Sequence, residues 1–96
     1  MTDIIFEWDE QKNASNKIKH GISFEEACSV FQDSRALVIP DLDHSDDEER
    51  FIILGLSIKL NMLVVCHCYR DSEQKIRVIS ARKATKKEVN RYAQGI

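Results

Sequence analysis

Long apolar runs are missing from this chain. The longest nearly apolar stretch, Phe51 to Ile58, is eight residues and is interrupted by Ser57, whereas a membrane-spanning helix needs about 20. The start, Met1-Thr2-Asp3-Ile4-Ile5, has neither a basic region nor an apolar segment of signal-peptide length. Cysteine is scarce and odd in number, three in 96 residues. That argues against a disulfide framework and makes a reducing, cytoplasmic setting the expectation. One proline and three glycines leave little material for long loops or linkers. No repeat or shift in composition divides the chain, so a single domain over residues 1–96 with one modest core is expected.

What is present is charge. Charged residues make up 31% of the chain and hydrophobic ones 43%, too many for disorder, and the formal net charge is only −2. Residues 1–49 carry 13 acids and 4 bases, residues 50–96 carry 3 acids and 10 bases. Segregation on this scale points to two surfaces with different partners.

Alternation at Ile4, Phe6 and Trp8 predicts a short strand. Asp9 caps a helix running to about Lys19, stopped by Gly21. Its apolar content, Ala14 and Ile18, is thin, which predicts a surface helix. Ser23-Phe24-Glu25-Glu26 reads as a capping box, and Phe24, Ala27, Cys28 and Phe31 form one helical face. Ala36–Ile39 followed by Pro40 predicts an edge strand. Past the acidic turn Asp41–Glu49, three strands follow at Arg50–Ser57, Asn61–Tyr69 and Lys75–Arg82. Thr85-Lys86-Lys87-Glu88 is a second capping box, opening a helix with Val89, Tyr92, Ala93 and Ile96 on one face. The order is β-α-α-β-β-β-β-α, an α+β fold. Short connections make strands two to five an antiparallel meander, with the helices expected on one face.

The acidic run fails as a calcium loop. With Asp41 at position 1, the required Gly is Asp46 and the required Glu is Ile52, which leaves a solvated hairpin connection. Cys66-His67-Cys68 fails as a zinc cluster, because alternation sends the cysteines to one face and the histidine to the other. With the cysteines in the core, His67 is expected on an open face beside Val65 and Tyr69. Arg50, Arg70, Arg77 and Arg82 at strand positions mark a polar sheet face or partners for the acids, and a guanidinium fork suits phosphate oxygens. Lys83, Lys86, Lys87 and Arg91 extend that surface, with Tyr69 and Tyr92 available for stacking on bases; simple solvation of a surface helix explains them too. Lys19-His20-Gly21 is explained by a helix C-terminus, and also brings an imidazole to a helix end.

These pieces carry a family resemblance. Phe6-Glu7-Trp8-Asp9, Lys12, Asn16 and Lys19-His20-Gly21-Ile22-Ser23-Phe24-Glu25-Glu26-Ala27 resemble the opening of BrnT-type toxins of bacterial type II toxin–antitoxin systems. The resemblance runs on through Asp43-His44-Ser45, Glu49-Arg50-Phe51, Gly55-Leu56-Ser57, Leu63-Val64-Val65 and His67. It closes with Ile76-Arg77-Val78-Ile79-Ser80-Ala81-Arg82-Lys83-Ala84-Thr85, Glu88 and Tyr92. It implies a compact RelE-like fold and an endoribonuclease that needs no metal or other cofactor and inhibits translation. The implied partner is a BrnA-like antitoxin that masks the toxin and brings it to operator DNA, in a heterotetramer of two toxins and two antitoxins, with no membrane involved. For the catalytic site the resemblance directs attention to Arg50 and Arg77 on phosphate, with His67 or His20 moving protons and Glu49 as a second base. Lys19, Arg82 and Lys83 would hold RNA and Tyr92 would stack on a base. A non-catalytic module that only binds the antitoxin is the rival reading. A sequence pI near 5.9 departs from the basic character of such relatives, so the bases must be concentrated locally.

Overall fold

A computed structural model describes residues 4–44, 48–70 and 74–95. Parts of the expected Asp41–Glu49 turn and Ile96 lie outside the described residues, as does the side chain of His44. The elements come in the expected order: β1 (Ile5–Glu7), α1 (Glu10–His20), α2 (Phe24–Ser29), β2 (Leu37–Pro40), β3 (Phe51–Leu56), β4 (Met62–Arg70), β5 (Lys75–Lys83) and α3 (Lys86–Gln94). Short 3₁₀ turns at Val30–Gln32 and Leu42–His44 follow α2 and β2.

The five strands form one sheet in the order β1-β5-β4-β3-β2. Strands β2 to β5 are the antiparallel meander their short connections require. The sheet as a whole is mixed, because β1 pairs parallel to β5; the α1–α2 crossover is long enough to return the chain to that edge. Pro40 ends the opposite edge strand, where a missing N–H costs nothing.

Helices α1 and α2 cover one face. Ile22, Phe24, Ala27 and Val30 pack there against Ile53, Leu63, Val65, Val78 and Ala81, each large side chain contributing about 1.5–3 kcal/mol. The third helix does not join them: α3 lies over the other face, against Leu37, Ile39, Ile52, Leu54 and Val64, with no residue of its own buried. Helices on both faces, rather than one, is a correction to the sequence reading. The tether is polar, a Tyr92 hydroxyl donating to Asp33 Oδ2 at 2.6 Å.

The caps form where the residues require them. Asp9 accepts from the amides of Gln11 and Lys12, and Gly21 closes α1 in the left-handed region at φ 72°. The Thr85–Glu88 box is complete. At α2 only half of the box forms: Ser23 accepts from the Glu26 amide, while the Glu26 carboxylate turns inward to accept from Ser57 Oγ at 2.6 Å and Asn61 Nδ2 at 2.7 Å. Glu26 thereby ties the β3–β4 turn to α2.

Candidate functional site

On the sheet face opposite α1 and α2, a cleft of about 320 Å³ opens beside α3. Arg50, Arg82 and His20 line it, together with Asp41, Asp43, Cys66 and Ser80; Ile52, Val64 and Ile79 form its floor. It gathers side chains from five parts of the chain: the end of α1, the segment after β2, the start of β3, the middle of β4 and the second half of β5.

Two local features build it. The first is a bulge. Cys66 pairs with Ser80 but His67 pairs with Val78, so Ile79 is an extra residue in β5. A bulge breaks the period of two. Val78 and Ala81 therefore both face the core, while Ile79 and Ser80, consecutive in sequence, both line the cleft. The second is Asn16, which is buried on α1. Its side-chain amide donates to the Ala81 carbonyl at 2.8 Å and accepts from the Ala81 amide at 3.2 Å. β1 pairs with β5 only as far as Arg77, and the Asn16 amide substitutes for a strand on the edge beyond it. Asn16 also donates to Ile22 O at 2.8 Å, which fixes the turn after α1. His20 lies four residues on from Asn16, on the same helical face, and so arrives at the cleft beside Ser80 and Arg82.

Electrostatically the cleft is mixed. Arg82 forms a double hydrogen bond with Glu88 at 2.8 and 3.0 Å. The guanidinium draws the Glu88 carboxyl down to about 2, with burial opposing and the Thr85 amide assisting. The backbone carbonyl of Arg50 accepts from the Asp41 amide at 2.8 Å. Cys66 donates its S–H to Asp41 Oδ2 at 3.6 Å, and burial, reinforced by that carboxylate, pushes its thiol up to about 11. Cys66 is therefore a neutral wall of the cleft, not a nucleophile.

Of the residues singled out from sequence, the cleft brings together Arg50, His20 and Arg82. Lys19 and Lys83 are exposed neighbours in sequence of two of them. Glu49 is exposed and lies outside the cleft lining. Arg77 sits at the other end of β5, where it donates to Glu7 of β1 at 2.6 Å. The Tyr92 hydroxyl is committed to Asp33, which holds it in its protonated form.

His67 is the main correction. It does share a face with Val65 and Tyr69, but that face is the one packed under α1 and α2, and the exposure of His67 is 0%. Its ring packs edge-on against Phe31 at 4.8 Å and Tyr69 at 5.4 Å. Its Nδ1–H donates to the Val65 carbonyl at 3.2 Å, and burial holds its pKa below the usual imidazole value. The reason is phase: Cys66, assigned to the core by its thiol character, lies half-buried on the cleft side, which turns His67 inward. Asp41, Asp43 and Ser80 were given no role from sequence, although Asp43 and Ser80 lie within blocks of the family resemblance.

The profile of a family described as "Ribonuclease toxin, BrnT, of type II toxin-antitoxin system" matches residues 8–88. The chain belongs to the BrnT ribonuclease toxin family. Among solved structures it is similar to the ribonuclease toxin BrnT of Brucella abortus, with 30% sequence identity and a TM-score of 0.64 over 90% of this chain and 100% of that one. No curated protein matches the sequence. The family match spans every residue of the cleft from His20 to Arg82, as well as the Asn16 anchor and Glu88. Among the described residues no helix is long and apolar enough to cross a membrane, and no group of three or more His, Cys, Asp or Glu is arranged to hold a metal ion.

Proposed function

We propose that this BrnT-family chain is a cytoplasmic endoribonuclease toxin of RelE-like type. In this reading it cleaves RNA by attack of a 2′-hydroxyl on the adjacent phosphate, without a metal, and so inhibits translation. The observation that carries the reading is the convergence of His20, Arg50 and Arg82 on one cleft of the sheet. Attack of the 2′-oxygen needs a group to take its proton, a group to protonate the leaving 5′-oxygen, and cations on the phosphoryl oxygens as their charge grows. The His20 imidazole can accept a proton at one ring nitrogen and donate one from the other. Arg50 and Arg82 supply planar forks for phosphate, and the Glu88 pair holds the Arg82 fork in one orientation. Lys19 and Lys83 would hold flanking phosphates. The partner in this reading is a BrnA-like antitoxin, in a heterotetramer that also occupies the shared operator.

The test is induction of the chain in a bacterial host together with incubation of the purified protein with RNA in EDTA. Growth arrest and cleavage are expected, with Arg50→Ala and His20→Ala each cutting at least 100-fold more slowly. Absence of both arrest and cleavage in the wild type would leave the non-catalytic antitoxin-binding module standing instead.

A further inference from the structure

The cleft contains one group that a phosphate site does not need. Asp43 lines the cleft together with Asp41, Arg82 and His20. Asp41 is largely buried and receives the Cys66 thiol. Asp43 is exposed on the 3₁₀ turn, and among the described residues it has no hydrogen-bond or ion-pair partner. A carboxylate in a groove that must admit a polyanion repels the backbone unless the substrate brings donors to it.

We infer that Asp43 reads the base next to the scissile phosphate and selects guanine. This rests on the ribonuclease reading above and deepens it. Single-stranded RNA is read on the Watson–Crick edges of splayed bases. Guanine alone presents two adjacent donors there, N1–H and the N2 amine, which match the two oxygens of one carboxylate. Adenine and cytosine each offer one amine next to an acceptor. Uracil offers one N–H between two carbonyls, which a carboxylate repels. The guanine O6 acceptor on the same edge is served by the cations of the same cleft, Arg50 and Arg82. The apolar floor of Ile52, Val64 and Ile79 supports a flat ring while the polar walls contact its edge.

The test uses the full chain and short single-stranded RNAs that differ only at one base, with G, A, C, U or inosine in turn. Inosine keeps N1–H and lacks the N2 amine. The wild type is expected to cut beside guanosine about tenfold or more faster than beside the other bases, the scale of a good two-point contact, and to lose most of that advantage with inosine. Asp43→Asn should cut guanosine and inosine RNAs at equal rates. Cutting by the wild type without guanosine preference overturns this inference and leaves the ribonuclease reading intact. So does an Asp43→Asn variant that keeps the preference while slowing equally at every base, which would make the carboxylate a proton carrier. A wild type that cuts none of the RNAs overturns both.

Discussion

At the scale of the single residue, His67 and Asn16 show how burial and hydrogen bonding redirect a side chain's use. His67 is enclosed by Phe31, Phe51 and Tyr69 and is held neutral by that burial. Its folded-state pKa is depressed, so the unfolded chain binds the proton more readily. The contribution of neutral His67 is complete above the ordinary imidazole value of about 6.5 and is lost as pH falls below it, by up to about 1.4 kcal/mol per pH unit. Urea unfolding of wild type and His67→Leu between pH 8 and pH 5 checks this: the stability gap should shift toward the variant only below about pH 6.5. A gap that is constant across that range would show that His67 is not held neutral. Asn16 carries the opposite prediction for function. Asn16→Ala leaves the backbone N–H and carbonyl of Ala81 without their side-chain partner, costing about 2–3 kcal/mol. It also releases the turn that carries His20, so cleavage should fall further than stability alone explains. Assaying well below the unfolding midpoint separates the two effects. The family resemblance includes Asn16 but gives it no role, since an Asn on a polar helix ordinarily reads as solvated; its value comes from the incomplete edge of β5, which is a tertiary fact.

At the scale of the element, the strands and helices were legible in the sequence because each is written in local signals. Capping boxes, the Gly21 stop and the aliphatic alternation all act within a few residues of one another. The element order and the β2–β5 meander followed from those signals and from the short connections. Three things were not local. β1 chooses its neighbour by packing, α3 takes the uncovered face because the first is already filled, and the Ile79 bulge depends on how β5 registers with β4. The bulge matters most for the site, since it brings Ser80 and Arg82 to the cleft face while Val78 and Ala81 stay in the core. Close packing between elements is sharpest at Gly55 of β3. A Cβ there would stand 2.8 Å from Val30 Cγ1 and 3.0 Å from Ala36 Cβ, inside contact distance of side chains held by the core. Gly55→Ala should therefore destabilise the fold by about 1–3 kcal/mol, although alanine is ordinarily the better residue in a strand. A thermal melt of the variant that matches or exceeds the wild type would show that the 3₁₀ turn at Val30–Gln32 yields at no cost.

At the scale of the whole molecule, the charge division between the two halves is partly consumed inside the fold. Glu7 takes Arg77 and lies within 3.9 Å of Lys75, Glu25 and Glu26 hold side-chain amides, Asp33 holds Tyr92, and Glu48 holds Arg70. Residue counting alone therefore overstates the charge left at the surface. The acids of the first half named here act as hydrogen-bond acceptors that tie elements together, and Arg50 and Arg82 are the Lys and Arg side chains that line the cleft. A ribonuclease with a sequence pI near 5.9 that binds through such a small cluster should neutralise about three phosphates. On single-stranded RNA that gives a slope of log affinity against log salt near −2. Removing a cation that touches phosphate lowers the slope by about 0.7, so Lys83→Ala should flatten it. Arg77→Ala should leave it unchanged, because Arg77 lies outside the cleft lining, toward the far end of β5 beside Glu7. Binding of a non-cleavable RNA, with the attacking 2′-hydroxyl replaced by hydrogen, measured across a salt series reads these slopes without interference from cleavage. If Arg77→Ala flattens the slope and Lys83→Ala does not, RNA runs along the β1 side of the sheet and the cleft is not its path.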